Sequence, residues 1–275
     1  MDIPTKLLLE DHRLIDAPYK VHSLDDLSRI EPDGIYTVAR TYYATKIVML
    51  DAHLDRLEES AELESIPLQL DRVSLRKGLR VILEAGGYEN ARLRITIARE
   101  NPNQILLASE PLKEVPYEIL INGAKVATRC IIRPNPRAKA NTWIGLRAEA
   151  NKSLPEHSYE GIVCSLSGEL LEGFSSNFYV IKDDELWTAG ENVLSGIARK
   201  IILDVAYDLL PIHLRPVTIA DLRSLQEAFL SSSGRGVVPI VEIDDCVIGS
   251  GNPGPYTLEI IRRYNSWIEE NLEPI

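Results

Sequence analysis

Leu171-Glu172-Gly173-Phe174-Ser175-Ser176-Asn177-Phe178, running on into Tyr179-Val180-Ile181, sets one carboxylate ahead of a tight polar turn and an apolar strand. A turn of glycine and small hydroxyl residues lets backbone approach a ligand closely and orients a carboxylate through local hydrogen bonds. A glutamate so placed can hold a proton on a pyridine nitrogen. Lys139 stands 33 positions earlier, in Arg137-Ala138-Lys139-Ala140-Asn141, at the end of an irregular proline-bearing stretch and just before a predicted helix. An amine there can form a Schiff base with an aldehyde. Glu172 and Lys139 are thus the two groups a protein must supply for a pyridine aldehyde to act as an electron sink.

Composition bounds the rest. A chain of 275 residues with 45% apolar residues has room for one large or two ordinary folded domains. The net charge of −11, without a basic run, argues against nucleic acid or an anionic membrane surface as partner. Cys130, Cys164 and Cys246 are odd in number and widely spaced, which suits reduced core thiols rather than a disulfide framework or a zinc site, and no metal is expected. No apolar run approaches the ~20 residues of a membrane span, and Met1-Asp2-Ile3-Pro4 opens no basic segment followed by an apolar one. The expected compartment is the cytoplasm.

Strands are predicted over Gly34 to Arg40 and Thr45 to Leu50, from their β-branched and aromatic content. A helix follows from Asp51 as N-cap, with Leu54, Leu57 and Ala61 on one stripe, and a second covers Arg72 to Ala85. Strands at Arg92 to Ile97 and Gln104 to Ala108 complete a smaller N-terminal α/β domain, 1–112. The proline-bearing, charged Glu110 to Pro116 region suits a crossing, with the linker at 113–116. The larger domain, 117–275, is expected to hold strands near Glu118 to Asn122, Val126 to Ile132, Gly161 to Cys164, Leu170 to Glu172, Asn177 to Ile181, Ala228 to Ser231 and Val237 to Ile243. Its predicted helices are Trp143 to Lys152, Gly196 to Leu209, Ala220 to Leu225 and Pro255 to Leu272.

Glu172-Gly173-Phe174-Ser175-Ser176-Asn177 resembles the E-G-x-S-S-N signature of the class IV (fold type IV) pyridoxal 5′-phosphate enzymes, which include branched-chain and D-amino-acid aminotransferases and aminodeoxychorismate lyase. Further matches occur in the family's order. They are Gly34-Ile35-Tyr36, the helix segment from Asp51-Ala52-His53-Leu54-Asp55-Arg56-Leu57 to Ser60-Ala61, Tyr159-Glu160-Gly161-Ile162-Val163 where the family has Y-E-A-I-L, Ser195-Gly196-Ile197-Ala198-Arg199, and Pro239 to Asp244. The resemblance implies a mixed α/β, two-domain enzyme with an N-terminal α/β sandwich and a C-terminal pseudo-barrel with helices, working as a homodimer.

The same resemblance implies roles. Lys139 would be the Schiff-base lysine, neutral when it attacks because burial and a cationic cofactor lower its pKa, and Glu172 the partner of the ring nitrogen. Arg56 would grip the cofactor phosphate, a dianion suited to a planar guanidinium. Ile197 and Ala198 would add backbone N–H groups at a helix start, and Ser233 a hydroxyl. Tyr36 would line the substrate side. Apart from the resemblance, the loop Ser233-Gly234-Arg235-Gly236 offers a substrate carboxylate either its N–H groups, that of Gly234 among them, or the Arg235 side chain. Phe174 departs from the small residue usual at its place, which would narrow the pocket; Ala198 stands where threonine is usual. The branched-chain enzymes' tyrosine after the lysine is absent, and so is the D-amino-acid enzymes' R-x-H trap, since the chain continues Arg99-Glu100-Asn101. The implied reaction is transfer of an amino group between an aliphatic or branched-chain amino acid, L or D, and a 2-oxo acid. Two alternatives remain at this point: a lyase of the aminodeoxychorismate type, and a non-catalytic binding protein that keeps the fold.

Overall fold

The computed structural model describes residues 2–275. Its contacts gather the chain into two units. The first holds the residues up to Lys113 together with Arg137–Gly145 and Asn271–Ile275; the second holds Glu114–Pro136 and Leu146–Glu270. Lys139, which the sequence reading assigns to a domain running over 117–275, lies in the first unit.

In the first unit the elements are β1 (Thr5–Leu8), β2 (Leu14–Asp16), α1 (Leu24–Ile30), β3 (Gly34–Tyr42), β4 (Lys46–Ile47), α2 (Leu50–Leu63), α3 (Arg72–Gly86), β5 (Ala91–Ala98) and β6 (Ile105–Pro111). Strand order is Glu273–Pro274, β4, β3, β5, β6, β1, β2, antiparallel throughout. Leu50, Leu54, Leu57 and Ala61 of α2 and Leu75, Leu79, Ile82 and Leu83 of α3 bury against Ile35, Leu93, Ile95 and Leu107. Alternation along β6 sends Leu106 and Ala108 to the opposite face, where Leu24 and Leu27 of α1 cover them. Helix α2 buries a second stripe, His53, Arg56 and Ser60, one and two turns apart and wholly polar. That stripe faces the chemistry described below.

Local chemistry explains where elements start and stop. Asp71 caps α3 through Val73 N (3.0 Å) and Ser74 N (3.1 Å), and Gly87 ends it at φ 63°. Asp51, expected as the N-cap of α2, sits inside its first turn, because Met49 takes a left-handed conformation (φ 52°) and starts the helix earlier. The same turn cuts the predicted strand Thr45 to Leu50 down to β4. The sequence reading leaves β1, β2 and α1 unassigned. Glu110 and Pro111, expected at a crossing, finish β6.

The second unit contains α4 (Tyr117–Asn122), β7 (Ala124–Cys130), most of α5 (Thr142–Asn151), β8 (Glu160–Cys164), β9 (Leu170–Gly173), β10 (Asn177–Lys182), β11 (Glu185–Trp187), α6 (Ile197–Ala206), β12 (Ile212–His213), β13 (Glu227–Ser232), β14 (Gly236–Ile243), β15 (Cys246–Val247) and α7 (Pro255–Glu270). The strand predicted at Glu118 to Asn122 is the helix α4. Pro116 precedes its first turn and Gly123, at φ 79°, closes it by donating to Ile119 O at 3.0 Å. Two of the three cysteines also differ from expectation: Cys164 is buried, but Cys130 is exposed and Cys246 half-buried.

Strands run in the order β12, β11, β10, β13, β14, β7, β8, β9, and β9 pairs back onto β10 through Glu172 and Asn177. Six strands, β10, β13, β14, β7, β8 and β9, therefore form a closed ring, the expected pseudo-barrel. Val126, Ile162, Phe178, Leu230, Val238 and Ile240 belong to its core, and α6 and α7 pack against β13 and β14. Phe174 is buried, and an added Cβ on Gly161 would lie 2.5 Å from its ring. The aromatic ring thus fills the space that glycine leaves at the family's alanine position. Gly161→Ala is expected to cost about 1–3 kcal/mol of stability through overpacking, measured by urea unfolding, and to cost almost nothing in a Phe174→Leu background; equal losses in both would overturn this packing account.

Candidate active site

Lys139 is held through its backbone. Its carbonyl accepts from Tyr36 N (2.9 Å), its N–H donates to Ser60 Oγ (3.1 Å), and Asn141 N reaches Gly34 O (2.9 Å), so the segment lies along the start of β3 and beneath the polar stripe of α2. The side chain is half-buried, with Nζ 4.9 Å from the centre of the Tyr36 ring. Tyr36 is itself buried, and the Arg94 guanidinium lies 3.9 Å from the same ring centre. Arg94 is paired with the buried carboxylate of Glu31, Nε to Oε2 at 3.0 Å and Nη2 to Oε1, while Thr96 Oγ1 donates to Glu31 at 2.8 Å.

Arg56 is buried and its Nη2 donates to Thr37 Oγ1 at 2.9 Å; Thr37 Oγ1 in turn lies 3.0 Å from His53 Nδ1. Burial, and then the positive charges of Arg56 and Lys139, hold the His53 imidazole well below its usual pKa. His53 is therefore neutral at physiological pH, and Arg56 carries the positive charge of this stripe.

In the second unit Glu172 is buried at the barrel seam. Arg133 Nη1 donates to its Oε1 at 2.6 Å and Leu194 N to its Oε2 at 3.0 Å. Asn177, its ladder partner, donates Nδ2–H to Leu194 O at 2.9 Å, and an added Cβ on Gly196 would lie 2.1 Å from Asn177 Oδ1. The turn that aims Glu172 therefore also fixes the entry to α6, where Gly196 is an N-cap with no side-chain hydrogen bond and Ile197 and Ala198 open the helix. The first N–H groups of a helix lack intrahelical partners and carry the positive end of its dipole. Ser233 lies half-buried in the turn between β13 and β14.

Arg235, in that turn, does not stand as an open cation for a substrate. Its Nη1 pairs with the buried Glu160 at 2.9 Å and its Nη2 donates to Ser175 Oγ at 2.9 Å. Glu160 also accepts from Ser175 N (2.5 Å), Ser175 Oγ (2.8 Å) and Ser176 Oγ (3.1 Å). Burial pushes the Glu160 carboxyl up, but Arg235 and the serine donors outweigh it and hold it below the usual carboxylate range. The pair braces the turn that follows Glu172. Gly234 has open space around it.

Sequence reasoning missed Arg133, Glu31, Arg94 and Thr37. Arg133 sits among prolines in Ile132-Arg133-Pro134-Asn135-Pro136, where no spacing points to a carboxylate 39 positions away. Thr37 did have a signal, since it follows Tyr36 in the matched strand.

Residues 34–243 match the family described as amino-transferase class IV. The chain belongs to that family of enzymes. Among its relatives, a D-alanine aminotransferase of Listeria innocua is 28% identical over 282 residues, covering 96% of each chain. A probable branched-chain-amino-acid aminotransferase of Thermotoga maritima is 26% identical over 251 residues, 86% of this chain and 88% of the relative. The crystal structure of a branched-chain aminotransferase from the archaeon Thermoproteus uzoniensis, with norvaline, superposes with a TM-score of 0.79, at 22% identity and over 100% and 99% of the two chains. No helix among the described residues is long and apolar enough to cross a membrane.

The Glu160 environment yields a pH dependence. Its folded pKa lies below the unfolded value of about 4.3, so its stabilisation is present above that pH and disappears as pH falls through the folded pKa. The stability difference between wild type and Glu160→Gln, from urea unfolding, is expected to be largest near pH 7 and to shrink steadily toward pH 3; a pH-independent difference would contradict the ionised assignment.

Proposed function

We propose that this class IV aminotransferase uses pyridoxal 5′-phosphate to move an amino group between an amino acid with an aliphatic side chain, L or D, and a 2-oxo acid. The observation that carries the reading is Lys139, clipped by backbone hydrogen bonds to β3 and α2 with its amine against a buried tyrosine ring. The relatives' names, D-alanine and branched-chain aminotransferase, both fall within this substrate class.

The donor chemistry within each unit suits the cofactor: Arg56 in the first, and the N–H groups of Ile197 and Ala198 and the Ser233 hydroxyl in the second, are donors of the kind a phosphate dianion takes. When bound, the cofactor supplies an electron-poor ring into which the electrons of a broken bond to the substrate α-carbon delocalise. Lys139 is assigned as its covalent anchor and, once released, as the base that takes and returns the α-proton. Glu172, fixed by Arg133 and Leu194 N–H, keeps a proton on the ring nitrogen. Tyr36 borders the amine, the Gly234 N–H is assigned to the substrate carboxylate, and Arg235 braces Glu160. Arg94 and Arg235 are already spent on Glu31 and Glu160, which favours an uncharged substrate side chain. The reading extends, on the resemblance, to a homodimer, and it keeps the cytoplasm as the proposed compartment.

Borohydride treatment of the reconstituted protein is expected to leave the cofactor's mass on the Lys139 peptide. Conversion of bound pyridoxal phosphate to pyridoxamine phosphate is then scored against a panel of D- and L-amino acids. Lys139→Ala should lose the label and slow this half-reaction roughly 10²–10⁴-fold, whereas Glu172→Gln should keep the label and still slow the half-reaction. Labelling at Lys152 instead, or release of pyruvate without an amino acceptor, would overturn the assignment, the second outcome in favour of a lyase.

A further inference from the structure

Two of the three cysteines meet across a pair of parallel strands. Cys130 ends β7 and Cys164 ends β8, and the two are register partners in the parallel ladder. Register partners point to the same face, and neighbouring strands lie about 4.8 Å apart, inside the roughly 4.4–6.8 Å Cα separation that a disulfide spans. Both sulfurs approach one acceptor, the Ser165 carbonyl, Cys164 Sγ at 3.3 Å and Cys130 Sγ at 3.9 Å. The two thiols differ in access: Cys130 is exposed and Cys164 is 1% exposed.

We propose that Cys130 and Cys164 form a reversible intramolecular disulfide, a thiol modification site in which exposed Cys130 is the residue attacked by a hydroperoxide and buried Cys164 resolves it. In the first step the Cys130 thiolate sulfur attacks a peroxide oxygen, the O–O bond breaks, and Cys130 becomes a sulfenic acid as the peroxide is reduced to an alcohol or water. In the second step Cys164 sulfur attacks Cys130 sulfur, the S–O bond breaks, and hydroxide leaves with the Cys164 proton as water. Two thiols are oxidised and one peroxide reduced. A dithiol reductant reverses the bond by exchange, giving back both thiols and leaving as its own disulfide.

The asymmetry sets the order of events. Burial, followed by the hydrogen bond and charge of Cys130 and the nearby Asp244 and Glu169, pushes the Cys164 thiol up to about 12. Cys164 is therefore protonated and shielded, inert to peroxide by itself, and placed to meet a sulfenic acid on its neighbour. Cys246, half-buried on β15, is outside this pair.

The test treats the folded full-length protein with hydrogen peroxide, quenches in denaturant with iodoacetamide and maps peptides without reduction. The expected result is loss of two of the three alkylatable thiols, a linked Cys130–Cys164 peptide lighter by two hydrogens, full recovery with dithiothreitol, and the same linkage in Cys246→Ser. Cys164→Ala should leave Cys130 as a sulfenic acid trapped by dimedone, and Cys130→Ser should leave Cys164 alkylated as in the untreated protein. Far-UV circular dichroism confirms that each variant is folded before treatment. A persistent dimedone adduct on Cys130 of the wild type, a link between two chains, or oxidation of Cys164 in Cys130→Ser would each overturn the proposal.

Discussion

A single rung, Asn177 against Glu172, turns the second sheet into a ring. Closing a sheet removes the unpaired edges that an open one presents, and here the closing strands are joined by only Phe174, Ser175 and Ser176. So short a turn leaves the carboxylate little freedom. The same rung anchors the helix that follows, because Glu172 holds Leu194 N and Asn177 holds Leu194 O. The carboxylate and the start of α6 are thereby set relative to one another by two adjacent residues rather than by a long path through the fold.

Charge burial is the second constraint. Taking an ion out of water costs several kcal/mol even after relaxation, and the fold answers three such cases with an oppositely charged partner: Glu172 with Arg133, Glu160 with Arg235, Glu31 with Arg94. Such pairs add little net stability, but removing either member strands the other. They therefore act as rigid braces. Glu160 and Arg235 hold the serine turn, and Glu31 and Arg94 stand behind the Tyr36 ring. His53 follows the opposite course: burial first, and then the charges of Arg56 and Lys139, make it shed its proton.

Much of this was readable before any coordinates. The strands around Gly34 and Ala91, helices α2 and α3 and the strand after Glu172 follow from periodicity and capping, which act over a few residues. So did the family, since its motifs recur in order. The failures are also local in cause. The apolar run Ile119-Leu120-Ile121 suits a strand, and only its flanking Pro116 and Gly123 mark it as a short helix. Cys130 looked like a core thiol because β-branched and apolar neighbours surround it in sequence, yet it falls at an exposed strand end.

The chain by itself determined its family, the alternation of strands and helices, and the residue types set aside for chemistry, because those are written in short-range pattern and composition. Only the tertiary structure decided which charges meet. Arg133 reaches Glu172 across 39 positions, Glu31 reaches Arg94 across 63, and Arg235, which looked like a substrate anchor, is consumed by Glu160. A lone arginine in sequence carries no mark of its partner, since an ion pair needs proximity and shared burial, and both are properties of the folded chain alone.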